Sequence, residues 1–329
     1  MGWLRPADAA GSGRGRGFDR SRDYREAVAR ASTPGRCSGA AARAALGALL
    51  LALAAPSPAA AAAARGTVLH VYIAAPSLHR DGQSVRVYLP PSYRDADSSA
   101  RRYPLLILLH GWPGGDGNWL GQGHAAETLD SMIANRSIPE VIALFPNANA
   151  HGILGRSLYL SAWNGSFDIQ GFLTRDLVAW ADSTLRTRRG PEARALIGLS
   201  EGGSAAINLA LRHPETFGAA ASSSGEFRLS RSFGLKGVLG PEPGATKMLE
   251  ENSPLRYVGS IAEPARRQVL YFDCGLDEGD WLDQNREFHR VLTGLGIPHT
   301  YNEFPGGHGW GYWKIHLRDA LLAVTPRMR

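Results

Sequence analysis

The chain has 329 residues, 44% hydrophobic and 20% charged, a balance too apolar for a disordered protein and long enough for one domain with a substantial core. Its formal net charge of +6 sits entirely in residues 1–65, which hold ten Arg and four acidic residues, while residues 66–329 hold 26 basic and 26 acidic ones. A neutral body lacks the concentrated positive field that phosphate binding needs, so nucleic acid is excluded as an expected partner.

Residues 1–65 read as an N-terminal leader with a secretory signal peptide. The first 43 are rich in Arg, Gly, Ala and Ser without hydrophobic period, and Ala44–Ala64 carries no charge. Leu46, Leu49, Leu50, Leu51 and Leu53 form the apolar stretch; Pro56, Pro58 and an alanine run ending at Arg65 follow. A basic segment, about a dozen apolar residues and a small-residue zone make an export signal, with cleavage expected near residues 60–65. The alternative is an uncleaved anchor, but the run is mostly Ala and holds two prolines. The basic segment is long, which leaves a start nearer Val28 open. The expected location is secreted, periplasmic or extracellular, with no stable membrane partner after cleavage. Cys37 leaves with the signal, and Cys274 alone makes no internal disulfide.

Residues 66–329 read as one domain of alternating strands and helices. Strands are expected over 66–74 and 84–89, with a turn at Asp81-Gly82. The continuous apolar run Leu105–Leu109 marks a strand buried on both faces. A helix over 125–134, a strand over 141–145, a helix over 172–185, a strand over 193–197 and a helix over 204–211 follow. Strands over 219–222 and 269–272, a helix over 282–295, a strand over 299–304 and a helix over 310–324 complete the pattern. This alternation implies an α/β fold with a mostly parallel sheet and helices on both faces, and ligands outside the carboxyl ends of its strands. The insertions 147–171, with Tyr159, Trp163 and Phe167, and 223–266 are placed to wall a pocket; the aromatics either stack on substrate or fill a small cap.

Gly198-Leu199-Ser200-Glu201-Gly202 is a G-x-S-x-G pattern. Alone it is weak, but it follows a buried strand and opens a helix, the context of a nucleophile elbow. Ser200 is therefore the candidate nucleophile, and a serine hydroxyl needs a base. Among ten His, His308 alone lies in a Gly-rich loop after the last strand, in Pro305-Gly306-Gly307-His308-Gly309-Trp310. The acid is expected after the seventh strand, and Asp277 is the choice, with Glu278 its nearest rival. The second oxyanion donor is expected in His110-Gly111-Trp112, so the backbone N–H groups of Glu201 and Trp112 form the expected oxyanion hole, with His110 tying the loop down. No Cys/His cluster supports a metal and no phosphate-binding loop is present.

Together these pieces resemble the putative esterase family of α/β-hydrolases, which includes S-formylglutathione hydrolases, feruloyl and acetyl-xylan esterases, enterochelin esterases and mycolyltransferases. The resemblance spans about Val85 to Leu322 and rests on Tyr103-Pro104, His110-Gly111, Gly198–Gly203, Pro214 with Phe217, Ser222–Gly225, Gly275 with Asp277, and Gly306–Trp310 with Trp313. It implies an α/β-hydrolase catalytic domain over 66–329, a Ser200–Asp277–His308 triad, and no metal or other cofactor. The implied activity is that of a secreted serine carboxylester hydrolase acting on a small-molecule or polysaccharide-linked ester. An acyltransferase with the same triad is the alternative, and a non-catalytic binding module a more distant one. Glu201 departs from the Met that many members carry there, and its carboxylate is expected to repel acidic substrates.

Overall fold

The computed structural model describes residues 65–149, 155–232 and 234–328; the export signal expected in residues 1–65 lies outside the described residues but for Arg65. The chain enters the fold on two antiparallel strands, β1 (Thr67–Ala75) and β2 (Arg80–Leu89). On β1, Val71, Ile73 and Ala75 turn inward while Tyr72 is exposed, the alternation of a strand with one wet face. The reversal between them comes earlier than the Asp81-Gly82 expected from sequence. It is a single 3₁₀ turn at Pro76–Leu78, closed by His79 at φ 52°, so Asp81 and Gly82 fall inside β2. Proline at the first turn position sets the local φ that makes this turn possible.

The remaining strands are β3 (Leu105–Leu109), β4 (Ile142–Pro146), β5 (Arg194–Leu199), β6 (Ala219–Ser223), β7 (Val269–Gly275) and β8 (Thr300–Phe304). The eight form one sheet in the order β1-β2-β4-β3-β5-β6-β7-β8, parallel from β4 to β8, with β2 antiparallel to β4. The main helices are α1 (Ala125–Ala134), α2 (Leu177–Thr184), α3 (Glu201–Arg212), α4 (Gly244–Glu251), α5 (Asp280–Gly294) and α6 (Trp310–Val324). Successive side chains of β3 alternate between two cores. Leu105, Ile107 and Leu109 face one that includes Leu177 of α2, Ile207 of α3 and Phe288 of α5. Leu106 and Leu108 face the other, with Leu129 of α1 and Leu317 of α6. The mostly parallel sheet with helices on both faces therefore stands as expected.

Three segments differ in detail from the expected pattern or were left open by it. The helix expected over 172–185 begins as a π-helical turn, Phe172–Asp176, and tightens only at Leu177. Upstream of it, Asp168 accepts the Gly171 N–H at 2.8 Å, and within it the Thr174 hydroxyl bonds back to the Gln170 carbonyl at 2.8 Å. Strand β7 runs to Gly275, so Asp273 and Cys274 are strand residues. The insertion 223–266 is helical, holding α4 and the short turns Lys236–Leu239, Pro254–Tyr257 and Ala262–Ala265.

Register fixes where chemistry can occur. Leu109 pairs with Gly198, Leu199 with Ser223, Ser223 with Asp273, and Gly275 with Phe304. The residues just past those pairs leave the sheet at one edge, bringing together the loops that begin at His110, Ser200, Ser224, Leu276 and Pro305.

Asp273 lies under that edge with no exposure. Tyr312 Oη donates to its Oδ1 at 2.8 Å and Ser223 Oγ to its Oδ2 at 3.1 Å, tying β7 to α6 and β6. Burial pushes its carboxyl up to about 7, although these hydroxyls favour the charged form. The folded chain therefore holds a proton that the unfolded chain releases near pH 4. This contribution to stability is complete below about pH 4 and is lost as pH rises to about 7. Asp273→Asn keeps the shape without the charge. Thermal melts at pH 5 and pH 8 should show a smaller difference in Tm for the variant than for the wild type, with higher stability at pH 8 by on the order of a few kcal/mol.

Candidate active site

Ser200 stands between β5 and α3 at φ 54° and ψ −124°, a conformation that costs a non-glycine residue about 1–3 kcal/mol. The neighbouring glycines leave room for it. A Cβ on Gly198 would sit 2.0 Å from the Gly202 carbonyl oxygen, and one on Gly202 2.4 Å from that of Leu109. The Ser200 N–H donates to the Ser223 carbonyl at 2.8 Å, and its carbonyl accepts the Ser204 N–H at 3.0 Å, so the turn is pinned from both sides. Its Oγ lies 2.9 Å from His308 Nε2.

His308 Nδ1 lies 2.7 Å from Glu278 Oε2. The carboxylate that meets the imidazole is thus Glu278, not Asp277. The turn after β7 explains the difference. The N–H groups of Leu276 and Asp277 donate to the carbonyls of Phe304 and Gly306, both at 2.9 Å, which extends the β7–β8 pairing and leaves the Asp277 side chain in solvent. The chain turns back only at Glu278, whose N–H donates to the Gly275 carbonyl at 3.3 Å, and the longer glutamate side chain then reaches inward. That side chain is 1% exposed. Its Oε1 accepts from Ser224 Oγ at 2.6 Å and from the Gly275 N–H at 2.9 Å. Ser224, itself at φ 57°, accepts from Trp313 Nε1 at 3.0 Å. Burial alone would raise the Glu278 carboxyl; the bonds from His308, Ser224 and Gly275 outweigh it and hold the group below its ordinary value.

An ionised Glu278 only accepts, so His308 carries its proton on Nδ1 and presents Nε2 as acceptor to the Ser200 hydroxyl. The imidazole is held between two indoles, with ring centroids 3.7 Å from Trp281 and 4.9 Å from Trp313, both near-perpendicular. This arrangement can take a proton from Ser200 and hold the resulting imidazolium.

The loop after β3 passes directly against the nucleophile. A Cβ on Gly111 would lie 3.2 Å from Ser200 Cβ and 2.7 Å from Leu199 Cδ1. Trp112 follows on this loop, and Glu201 is the first residue of α3, where helix N–H groups have no partner within the helix. His110 ties the loop down as expected. It is 3% exposed, its Nε2 accepts the Ala148 N–H at 3.2 Å, and its Nδ1 meets the Gly111 carbonyl at 2.8 Å. Burial lowers its proton affinity, which keeps the ring neutral. Tyr159 Oη donates to the His110 carbonyl at 2.7 Å, and Asn149 Nδ2 to that of Gly114 at 2.6 Å.

Tyr159 and Phe167 are buried in the core, whereas Trp163 is half-exposed and its N–H donates to the Val238 carbonyl at 2.8 Å, joining the two insertions. The Glu201 carboxylate is not an open charge. Its Oε2 accepts from Arg156 Nε at 2.8 Å and its Oε1 from the Leu158 N–H at 2.6 Å. The repulsion of acidic substrates expected from the sequence is thereby countered by a guanidinium that the sequence did not single out. Trp281 was also missed, having no motif around it.

Cys274 is buried, and burial followed by the Glu278 and Asp273 carboxylates pushes its thiol well up, so it stays protonated. Among the described residues no group of three His, Cys, Asp or Glu side chains is placed to hold a metal. An apolar cavity of about 500 Å³ lies at the opposite end of the sheet, where Ala219 and Val269 begin β6 and β7, remote from Ser200.

A family model described as putative esterase matches residues 77–324. An esterase of Mycobacterium tuberculosis (strain H37Rv) is 28% identical over 272 residues, covering 74% of this chain and 56% of that protein. The diacylglycerol acyltransferase/mycolyltransferase Ag85A of Mycobacterium bovis is 27% identical over 191 residues, covering 47% of this chain and 55% of that protein. The chain spans about half the length of these curated relatives. A solved ferulic acid esterase superposes with a TM-score of 0.71 at 25% identity, covering 80% of this chain and 99% of that one. The fold is accordingly that of the α/β-hydrolase-type esterases.

The geometry separates the two neighbouring acids. Glu278→Gln should lower kcat on p-nitrophenyl acetate by about 10²–10⁴-fold, because an amide cannot both accept from His308 Nδ1 and stabilise an imidazolium. Asp277→Asn should leave kcat within about threefold of wild type, as expected of a surface change. A reversed ranking in steady-state assays would return the role to Asp277.

Proposed function

The chain belongs to the putative esterase family, and on that premise we propose that it is an exported serine carboxylester hydrolase working through an acyl-enzyme. The observation that carries the reading is the continuous line from Glu278 through His308 to Ser200, with contacts of 2.7 and 2.9 Å. Ser200 Oγ attacks the ester carbonyl while His308 Nε2 takes its proton, and Glu278 fixes the tautomer and balances the imidazolium. The backbone N–H groups of Glu201 and Trp112 receive the oxyanion. Collapse of the tetrahedral intermediate breaks the bond to the alcohol, which leaves with the proton from His308. Water then attacks the acyl-Ser200 ester by the same route and frees the acid.

The likeness to a ferulic acid esterase supports an ester of an aromatic acid as the acyl part, and Trp281 beside His308 offers a ring for it to lie against. A second reading, acyl transfer to an alcohol in place of water, is favoured by the relative named as an acyltransferase. The intact Ser–His–Glu line favours either reaction over a pure binding module. Export rests on the pattern of residues 1–65. Among the described residues no helix is long and apolar enough to cross a membrane.

Ser200→Ala should lower kcat on short p-nitrophenyl esters by about 10⁴–10⁶-fold and abolish stoichiometric labelling by a fluorophosphonate. Retention of near-full turnover would overturn the mechanism. Methyl ferulate tests the acyl part, and product analysis with and without a sugar acceptor separates hydrolysis from transfer. N-terminal sequencing of protein recovered from the culture medium tests export, with a first residue near 60–65 expected.

A further inference from the structure

The mechanism above uses the N–H of Glu201 but gives no task to its side chain, a buried carboxylate one residue from the nucleophile. We propose that Arg156 is a positioning residue that acts on the reaction through Glu201, neutralising the carboxylate beside the oxyanion site and fastening the two insertions to the elbow. This rests on the serine esterase reading and deepens it.

The contacts converge on one guanidinium. Arg156 Nε donates to Glu201 Oε2 at 2.8 Å, and its side chain is 16% exposed against 6% for that of Glu201. Its Nη1 donates to Ser232 Oγ at 2.5 Å, in the second insertion. Its Cζ lies 5.2 Å from the Trp112 ring, within cation–π range. Arg156 itself belongs to the first insertion. One side chain therefore touches the oxyanion loop, the start of α3 and the second insertion from the loop after β4. The backbone of the second insertion runs alongside it, since a Cβ on Gly234 would stand in ordinary contact with Arg156 Cβ, 3.6 Å away. The adjacent Leu158 N–H completes the carboxylate at 2.6 Å, so the same few residues satisfy both oxygens.

Arg156 acts on charge at the moment of reaction. Catalysis depends on groups that favour the transition state over the ground state. When the ester carbonyl becomes an oxyanion beside the Glu201 N–H, an unbalanced carboxylate on that same residue opposes it. A positive charge held on the carboxylate removes the opposition, and a planar fork does so in fixed geometry. The charged or titratable groups around Glu201 are Arg156 and Tyr159 from the first insertion, Glu226 from the loop after β6, and His308 across the nucleophile. Glu226 and Tyr159 both feel the Glu201 charge. Arg156 is the permanent cation among them. Burial raises the Glu201 carboxyl and the Arg156 bond opposes that rise, so loss of Arg156 sends it higher still.

Two consequences distinguish this role from a merely structural one. Arg156→Met should lower kcat on a short p-nitrophenyl ester by about ten- to a hundredfold with KM within about threefold, since the loss falls on the transition state. The variant should also gain a new falling limb in kcat as pH rises and Glu201 ionises, a limb absent from the wild type. The double variant Arg156→Met/Glu201→Met has no carboxylate to balance. It should match Glu201→Met alone in kcat to within about threefold and lose the added limb, giving a large coupling between the two positions. Wild-type kcat and pH profile in Arg156→Met, or a double variant as slow as Arg156→Met, would overturn the proposal. Should Arg156→Met fail to fold by circular dichroism, the comparison of the double variant with Glu201→Met decides: equal kcat supports the role and a deficit of about tenfold or more overturns it. A wild-type protein that neither turns over esters nor takes a fluorophosphonate sinks the esterase reading itself. An active wild type with an indifferent Arg156→Met sinks only Arg156.

Discussion

Ser200 is held at φ 54° between the end of β5 and the start of α3, and the site is arranged around that one turn. A non-glycine residue does not rest there by itself. It is kept there because its N–H is spent on β6, its carbonyl on α3, and its flanking glycines admit backbone where a Cβ would collide. The same crowding presses Gly111 against Ser200 and so sets the distance of the loop that carries Trp112. Strain at Ser200 is thus balanced by the sheet, and the sheet's register places the other loops within reach.

The acid illustrates how a buried polar network selects one residue over its neighbour. Asp277 and Glu278 are adjacent, both acidic and both in the turn after β7. Asp277 continues the pairing of β7 with β8 through its backbone, which points its side chain to water. Glu278 turns inward to find Ser224, the Gly275 N–H and His308, and Ser224 is in turn held by Trp313 of α6. A carboxylate removed from water needs such partners. Here they come from the loop after β6, from β7, α6 and the loop after β8, so the position of the Glu278 carboxylate is a property of the assembled edge.

The two insertions complete the site from above. Tyr159 fixes the carbonyl of His110, Trp163 bonds to the second insertion, and Arg156 bridges Trp112, Glu201 and Ser232. Among the described residues, Tyr159, Phe167 and Phe227 serve as cap core, while Trp163 lies half in solvent. The acidic residue in the elbow, which in isolation looks hostile to an oxyanion, is part of this bracing.

By itself the sequence determined the elements that local pattern controls. Continuous apolar runs announced the buried strands, amphipathic periods the helices, and the sequence around Ser200 and the glycine-flanked His308 marked the pair whose side chains meet at the sheet edge and which we propose as nucleophile and base, because strand-turn-helix geometry is written in adjacent residues. The location of the +6 charge in residues 1–65 was likewise legible, since charge adds up without regard to fold. What only the tertiary structure decided was which of two neighbouring acids reaches His308, and that Arg156 balances Glu201. The chain between β4 and α3 carries no periodic signal linking positions 156 and 201, and a one-residue difference in a turn reverses which side chain faces inward. Such contacts depend on where separate loops meet at the sheet edge, and the spacing of residues along the chain does not encode it.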